Sequence, residues 1–295
     1  MGKLPHAASE REASVICRSG GALAGAARSG PRPVPRRARL LLGALVGMTC
    51  LATGCTTGLT AQQRQWLTEG HAAYERKQYR VAVERLTRFL TQVEGKPEVA
   101  SALYIRGQSY ALTGLRRQAY SDLQAAVQSG GDADVVWRAQ VVLGTLYFED
   151  GRWDAAAANL RAALARMPTG PPMDKLLWRL GLSLERSGRW EEAREAFAQI
   201  PRRVPGSQLV GGAERRLQLN AEHFAVQCGV FVERGNAEAL RSSLAKSGFP
   251  ASVRREPRPE GSRYVVLVGK YTAYEEAVRQ LGAVRRQVPQ AVLWP

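Results

Sequence analysis

Four glycines recur at intervals of 37 residues in the middle of this 295-residue chain, at Gly70, Gly107, Gly144 and Gly181. An alanine lies twelve residues after each glycine, and a large apolar side chain lies four residues further on. These two columns are Ala82, Ala119, Ala156 and Ala193, and Leu86, Leu123, Leu160 and Phe197. A fixed period of this length is typical of a solenoid, in which one supersecondary unit is stacked repeatedly. The sequence therefore predicts four copies of one unit.

Each unit has the pattern of two paired helices. Apolar residues recur at helical spacing in two blocks, which are separated by turn residues such as Asp150-Gly151 and Ser187-Gly188. The small residues let the two helices approach closely, and we interpret the apolar and aromatic columns as core. Residues 207–219 are predicted to form a closing helix, because the end of a solenoid needs a cap. Residues 62–220 are thus predicted to be an α-solenoid of four helix pairs.

The repeats also carry a family signature. The third unit contains Leu143-Gly144, Tyr147, Ala156 and Pro168, and this set resembles the tetratricopeptide repeat (TPR), with its W-x2-L-G-x2-Y, Ala, Phe and Pro pattern. The period of 37 residues exceeds the usual length of about 34, and the extra residues fall between units, where loops tolerate insertions. The resemblance implies a concave groove that binds an envelope protein and performs no chemistry.

The C-terminal part has a different pattern, in which short apolar runs alternate with helical segments. The predicted strands are residues 224–231, 251–254, 264–268 and 291–294, and the predicted helices are residues 238–246 and 272–286. The order β-α-β-β-α-β is that of a ferredoxin-like unit. The fold class is therefore predicted as α + α/β, with a TPR-like solenoid followed by a small ferredoxin-like domain at residues 221–295.

The two halves of this domain repeat one motif. The run from Val226 to Phe231, VQCGVF, is matched by VLVGKY from Val266 to Tyr271, and Gly248-Phe249 lies between them. This arrangement resembles the SPOR domain, whose signature is a V-Q-x-G-x-F strand, an Ala-rich helix, a G-F turn and a Y-x-V-x-V-G-x-[FY] strand. The resemblance implies binding to peptidoglycan glycan strands, with a preference for the stem-peptide-poor glycan of the division septum.

The resemblance also implies which residues contact glycan. Gln227 matches the glutamine of the first strand, Tyr264 the aromatic residue that opens the third, and Trp294 an aromatic contact in the last strand. A glutamine amide both donates and accepts hydrogen bonds, which suits sugar hydroxyl and N-acetyl groups. The alternative for each of the three residues is a purely structural role. Val226 and Cys228 alternate with Gln227 and are expected to face the helices.

The N-terminal part is predicted to direct export. Arginines in residues 31–39 precede an uncharged stretch at residues 40–54, and Cys55 follows directly; a basic segment, an apolar segment and small residues before a cut are typical of a signal peptide. The ending LATGC resembles the lipobox of bacterial lipoproteins. It implies a signal peptide at residues 34–54, lipidation of Cys55, and a linker at residues 55–61. The alternatives are an uncleaved signal anchor or an ordinary cleaved signal.

Two further expectations follow from the N-terminal pattern. Residues 1–33 are expected to be unstructured and to precede the true translation start. A lipid on Cys55 would anchor the protein to a membrane, and we expect the periplasmic side of the outer membrane rather than the inner membrane.

Composition argues against several other functions. The formal net charge of +16 is spread along the chain, so no nucleic-acid partner is expected. The cysteines and histidines are scattered, which predicts no metal site or cofactor, and Cys228 is expected to be a core residue. No catalytic constellation is evident, so we predict that the chain is not an enzyme. The alternative function is a TPR lipoprotein that assists assembly of an envelope complex, as a pilot factor, without binding glycan.

Overall fold

A computed structural model of the chain describes residues 58–258 and 261–295. The predicted segments at residues 1–33 and 34–54 and the predicted lipidation site Cys55 lie outside the described residues. Thr60–Pro295 form one compact unit. Within the described ranges, none of the helices combines the length and apolar character needed to cross a membrane.

Four helix pairs and a closing helix form the first part of this unit. The pairs are α1 and α2 (Ala61–Glu75, Tyr79–Leu90), α3 and α4 (Glu98–Leu112, Arg116–Gln128), α5 and α6 (Ala133–Glu149, Trp153–Leu164), and α7 and α8 (Met173–Arg186, Trp190–Arg203). The closing helix α9 spans Val210–Leu219. The predicted solenoid of four pairs is confirmed, and its closing helix begins three residues later than the predicted residue 207.

The glycine column is the close contact inside each pair. A Cβ added to any of the four glycines would lie far inside van der Waals distance of the apolar residue 16 positions later. The distances are 2.6 Å for Gly70 to Leu86, 2.9 Å for Gly107 to Leu123, 2.7 Å for Gly144 to Leu160 and 2.5 Å for Gly181 to Phe197. The apolar partners and the alanine column are fully buried. The two columns are therefore core, as predicted.

The turn between the helices of a pair requires a left-handed residue. Gly151, between α5 and α6, has a φ of 71°, and Lys77 takes the same conformation at 61° in the first pair. Glycine adopts this region without steric cost, whereas other residues are strained there. A glycine therefore marks this turn in the sequence of the third pair, whereas the lysine at position 77 gives no such mark in the first pair.

The close packing predicts the effect of a single methyl group. Changing Gly144 to Ala should lower the free energy of unfolding by about 1–3 kcal/mol, as expected for overpacking, although alanine is favoured over glycine in helices by about 1 kcal/mol. The clash with Leu160 Cγ at 2.7 Å is the reason. Urea denaturation of a protein of residues 58–295 measures the change.

The matched control for Gly144→Ala is Gly282→Ala. Gly282 lies in a helix of the C-terminal domain, Tyr274–Val284, and a Cβ there would meet nothing within 4 Å. This substitution should stabilise the protein by up to about 1 kcal/mol. Equal effects of the two substitutions would contradict the packing role of the repeat glycines.

The second part of the unit is the predicted β-α-β-β-α-β domain. Its elements are β1 (Phe224–Phe231), α10 (Arg234–Lys246), β2 (Ala251–Glu256), β3 (Arg263–Tyr271), α11 (Tyr274–Val284) and β4 (Val292–Trp294). The sheet order is β2-β3-β1-β4, and every neighbouring pair of strands is antiparallel. This is the ferredoxin-like arrangement, so the predicted fold class is confirmed.

Aromatic side chains join the repeats to this domain. Trp190, at the start of α8, packs its ring 4.8 Å from that of Phe224 in β1. Arg186 at the end of α7 lies 4.6 Å from the ring centroids of Phe148, Trp153 and Tyr274, and Tyr274 belongs to α11. The joint between the two parts is therefore a packed contact between repeat residues and the domain.

Candidate binding face

The sheet of the C-terminal domain has one face that packs on helices. Val226 and Cys228 of β1 and Val266 and Val268 of β3 form a buried cluster there with residues of α10 and α11, as predicted for Val226 and Cys228. Burial raises the pKa of the Cys228 thiol to about 11. Cys228 is thus a protonated core residue, which confirms its predicted role.

The other face of the sheet carries Gln227. Gln227 pairs with Leu267 of β3 and with Val292 of β4. A β-bulge follows at Cys228 and shifts the register, so that Val230 pairs with Val265. Residues that pair directly across strands share a face. Gln227, Val230 and Val292 therefore lie together on the face that points away from the helices, which we call the open face.

The solenoid covers part of the open face. Leu219, at the end of α9, and Ala221 pack against Ala225, Val265 and Leu267 of the sheet. Leu267 is only 4% exposed as a result. The part of the face that remains accessible lies around Gln227, where Val230 is 38% and Val292 43% exposed.

Gln227 occupies this accessible part with a free amide. Its side chain is half-buried, and among the described residues no hydrogen bond to it is present. An unpaired amide at the edge of a buried face is costly unless water or a ligand satisfies it. The Gln227 amide is therefore within reach of water or of a ligand that lies over the open face.

Trp294 lies on the same side of the sheet as Gln227 but is buried. It is 3% exposed, its Nε1 donates to Glu256 Oε1 over 3.1 Å, and the Arg254 guanidinium lies 4.8 Å from its ring centroid. In this arrangement Trp294 is a packing residue between the two edge strands. A sugar reaches its ring only if the cover formed by Leu219 moves.

The structure does not bring Tyr264 together with Gln227. Tyr264 alternates with Val265 and therefore has the orientation of Val266 and Val268, and it packs against the cluster on the helix side. The alternation of side chains along β3 could have predicted this orientation of Tyr264 from the sequence. Of the three residues predicted to contact glycan, Gln227 is the one that the structure leaves accessible on the open face.

Val230 and Val292 are the open-face residues that sequence reasoning did not select. They lie beside Gln227 and are exposed, so they can contact the apolar face of a sugar ring. The signal for Val292 was its place two residues before Trp294 in the same strand. The signal for Val230 was hidden, because the bulge at Cys228 breaks the simple alternation along β1.

Positive charge surrounds the covered end of this face. Burial, with the neighbouring cations Lys270 and Arg254, lowers the pKa of His223, whose ring lies 5.8 Å from that of Trp294. His223 is therefore neutral at pH 7, and the local positive charge comes from Arg254 and Lys270. Among residues 58–258 and 261–295, no cluster of His, Cys, Asp and Glu could hold a metal ion.

The repeats present a second candidate surface. The first helices of successive pairs contact one another: Ser101 Oγ of α3 lies 3.4 Å from His71 Nε2 of α1, and Arg179 of α7 donates to Thr145 Oγ1 of α5 over 2.9 Å. Helices that touch their counterparts in the next repeat form one continuous wall of the solenoid. That wall is the surface available to an extended partner.

Fold and surfaces together define a class of protein, a helical-repeat scaffold joined to a small α/β binding domain. Two families match the chain. The SPOR domain family matches residues 220–293, and the tetratricopeptide repeat family matches residues 67–134, 113–171 and 141–208. The chain carries tetratricopeptide repeats followed by a C-terminal SPOR domain. TPR repeats bind proteins and SPOR domains bind peptidoglycan, and both are binding domains.

Several solved structures are similar to the helical part. One is described as MamA 41-end from Desulfovibrio magneticus RS-1, which is 17% identical, with 56% of this chain and 92% of that chain covered and a TM-score of 0.46. Another, described as MamA AMB-1, is 20% identical, with 54% of this chain and 80% of that chain covered and a TM-score of 0.44. No curated protein sequence matches the chain.

Proposed function

We propose that this is a non-catalytic protein of the cell envelope that binds stem-peptide-poor glycan through its SPOR domain and an envelope protein through its TPR repeats. The proposal includes a role in cell division or wall remodelling. The observation that carries it is the accessible part of the open face, where Gln227 has an unpaired side-chain amide between the exposed Val230 and Val292.

The chemistry of this surface suits a sugar polymer. The Gln227 amide offers two N–H donors and a carbonyl acceptor to hydroxyl and N-acetyl groups. The two valines offer apolar contact to the C–H face of a sugar ring. Leu219 and the end of α9 pack on the neighbouring part of the face. The preference for glycan without stem peptides is part of the proposal and comes from the resemblance to the SPOR family.

Anchoring and location complete the proposal. We propose that Cys55 carries a lipid and that the protein is held on the periplasmic side of the outer membrane. Two acyl chains supply about 0.8 kcal/mol per buried methylene, which is enough for stable attachment.

Sedimentation with isolated sacculi tests the glycan claim. A protein of residues 58–295 should bind sacculi treated with an amidase, which removes stem peptides, more tightly than untreated sacculi. Gln227→Ala should weaken binding about tenfold, because loss of one or two hydrogen bonds costs about 1–1.5 kcal/mol. Gln287→Ala, an exposed glutamine after α11, is the matched control and should bind like the unmodified protein.

The outcomes separate the two candidate functions. Tighter binding after amidase treatment, reduced by Gln227→Ala alone, supports the glycan reader. An absence of sedimentation with both preparations would contradict it. The alternative would then hold, in which the protein assists assembly of an envelope complex through its TPR repeats.

A further inference from the structure

A cavity lies between the closing helix and the edge of the sheet. Its volume is about 380 Å³, and its walls come from α9, through Glu214 and Arg215, and from β2 and the loop after it, through Arg254, Glu256 and Arg258. Cavities of this size hold small ligands or parts of larger ones. The SPOR domain supplies one wall and the solenoid the other, so the cavity exists only where the two are joined.

Guanidinium groups dominate this cavity. Four arginines line it, against two glutamates, and these are Arg215, Arg254, Arg255 and Arg258, and Glu214 and Glu256. Glu256 is 4% exposed, and its carboxylate already has partners, since Oε1 accepts from Trp294 Nε1 and Oε2 lies 3.7 Å from Arg258 Nη2. The cavity therefore has more positive than negative charge available to a ligand.

Two of the arginines have donors to spare. The Arg258 Nε is buried and has no hydrogen-bond partner among the described residues. Arg215, exposed on α9, makes no ion pair within the part of the chain that the structure describes. The Arg254 guanidinium already has a partner, because its Nη2 donates to the Leu219 carbonyl oxygen over 2.5 Å. Unpaired guanidinium donors are the groups that bind carboxylates most effectively, often through two parallel bonds.

The cavity adjoins the face that carries Gln227. Arg254 pairs with Val265, and Gln227 pairs with Leu267, two residues further along β3 on the same face. Strand spacings put the two backbone positions on the order of 12 Å apart, a distance that a short oligosaccharide spans. A glycan strand that contacts both Gln227 and the cavity has to pass over the part of the face that Leu219 covers.

Stem-peptide removal creates a substituent of the required chemistry. Hydrolysis adds water across the amide bond between the lactyl group of muramic acid and the peptide. The nitrogen leaves with the peptide as an amine, and the lactyl carbon keeps a carboxyl group that is ionised at neutral pH. On an intact strand the same position is a neutral amide followed by the peptide.

We infer that the arginine-lined cavity binds the free lactyl carboxylate of muramic acid, with Arg215 and Arg258 as its partners. This inference rests on the proposed function and deepens it. It gives the preference for stem-peptide-poor glycan a physical cause, namely recognition of a charge that peptide removal exposes. It also gives the joint between the solenoid and the SPOR domain a part in binding, since Arg215 belongs to the closing helix.

Chemically modified glycan tests the cavity separately from glycan binding itself. Soluble peptide-free glycan oligosaccharides are compared with the same oligosaccharides after carbodiimide coupling to ammonia, which converts each carboxylate to a neutral carboxamide. Calorimetric titration of a protein of residues 58–295 should show at least about tenfold weaker binding to the amidated glycan. The double variant Arg215→Gln/Arg258→Gln should bind native glycan as weakly and should not distinguish it from amidated glycan.

A double variant with the same net charge is the control. Arg279→Gln/Arg286→Gln changes two exposed arginines of the helix side of the domain and should keep the preference for free carboxylates. Equal binding of native and amidated glycan by the unmodified protein would overturn the inference and leave the proposed function standing. Equal losses in the two double variants would also overturn it, because they would show a general charge effect. If neither glycan binds, the proposed function itself fails.

Discussion

Replacing Arg216 by methionine is expected to lower the free energy of unfolding by about 3–5 kcal/mol, the usual cost of leaving a buried charge without its partner. Arg216 Nη1 of α9 donates to Glu185 Oε2 of α7, and the two side chains are 18% and 8% exposed. Arg216 also lies 5.4 Å from the rings of Trp178 and Phe197. The substitution keeps most of the apolar stem and removes the charge.

The pH dependence of this loss identifies its cause. Burial raises the pKa of the Glu185 carboxyl from its ordinary value of 4.5, and Arg216 opposes that rise. Without Arg216 the folded-state pKa is higher still. A carboxyl whose pKa is higher in the folded than in the unfolded state costs stability as the pH rises through the interval between the two values. The deficit of Arg216→Met should therefore be smaller at pH 5 than at pH 8 in urea denaturation.

Two controls distinguish a buried pair from a simple loss of charge. The double variant Glu185→Gln/Arg216→Met should recover much of the stability, because it leaves no buried carboxylate. Arg88→Met removes one partner of the exposed pair with Glu84, whose side chains are both 53% exposed, and should cost less than about 1 kcal/mol. Equal losses at Arg88 and Arg216 would contradict this account.

The second large effect is expected at Trp190, which joins the solenoid to the SPOR domain. Its indole packs against the core on the helix side of the sheet and against the cluster on the open face. Changing it to alanine should cost about 3 kcal/mol, the lower end of the range for large aromatic residues, because Trp190 is half-buried. The unmodified protein of residues 58–295 should unfold in one thermal transition, and the variant in two.

Scanning calorimetry measures the number of thermal transitions in Trp190→Ala, with Trp66→Ala as the control. Trp66 lies in α1, in the first repeat, and is also half-buried. Its removal should lower the transition temperature while leaving a single transition. Two transitions in the unmodified protein would show that the repeats and the SPOR domain unfold independently, and they would contradict the packed joint.

The sequence predicted the fold because the fold is built from local and regular patterns. The 37-residue columns show directly where two helices touch, since each glycine faces the apolar residue 16 positions later. The strand order of the SPOR domain follows from alternating apolar runs with helices between them. Boundaries were less accurate: α10 begins at Arg234, four residues before the predicted Glu238, because Arg234 to Ala237 carry little apolar pattern.

The candidate site was predictable only in part, since its shape depends on contacts between distant segments. Gln227 was selected from its motif, and its role as a glycan contact stays a prediction. The burial of Trp294 depends on Leu219 and Glu256, which lie 75 and 38 positions earlier in the chain. No local pattern could indicate that packing.

The arginine-lined cavity was also beyond sequence reasoning. Its two walls come from residues 211–219 and residues 254–258, and each segment alone resembles an ordinary basic surface. The predicted second strand ended at residue 254, although Arg255 and Glu256 also belong to β2. Because β2 continues to Glu256, the Glu256 side chain reaches Trp294 and lines the cavity.

The most direct test of the central claim follows the Gln227 side chain itself. In a protein of residues 58–295 its amide N–H₂ signals can be assigned by comparison with Gln227→Ala and followed by ¹⁵N-resolved NMR during titration with peptide-free glycan oligosaccharides. We expect these signals to shift saturably while those of Gln287, on the opposite side of the domain, do not. Saturable shifts elsewhere with Gln227 unmoved would contradict the open face as the glycan site.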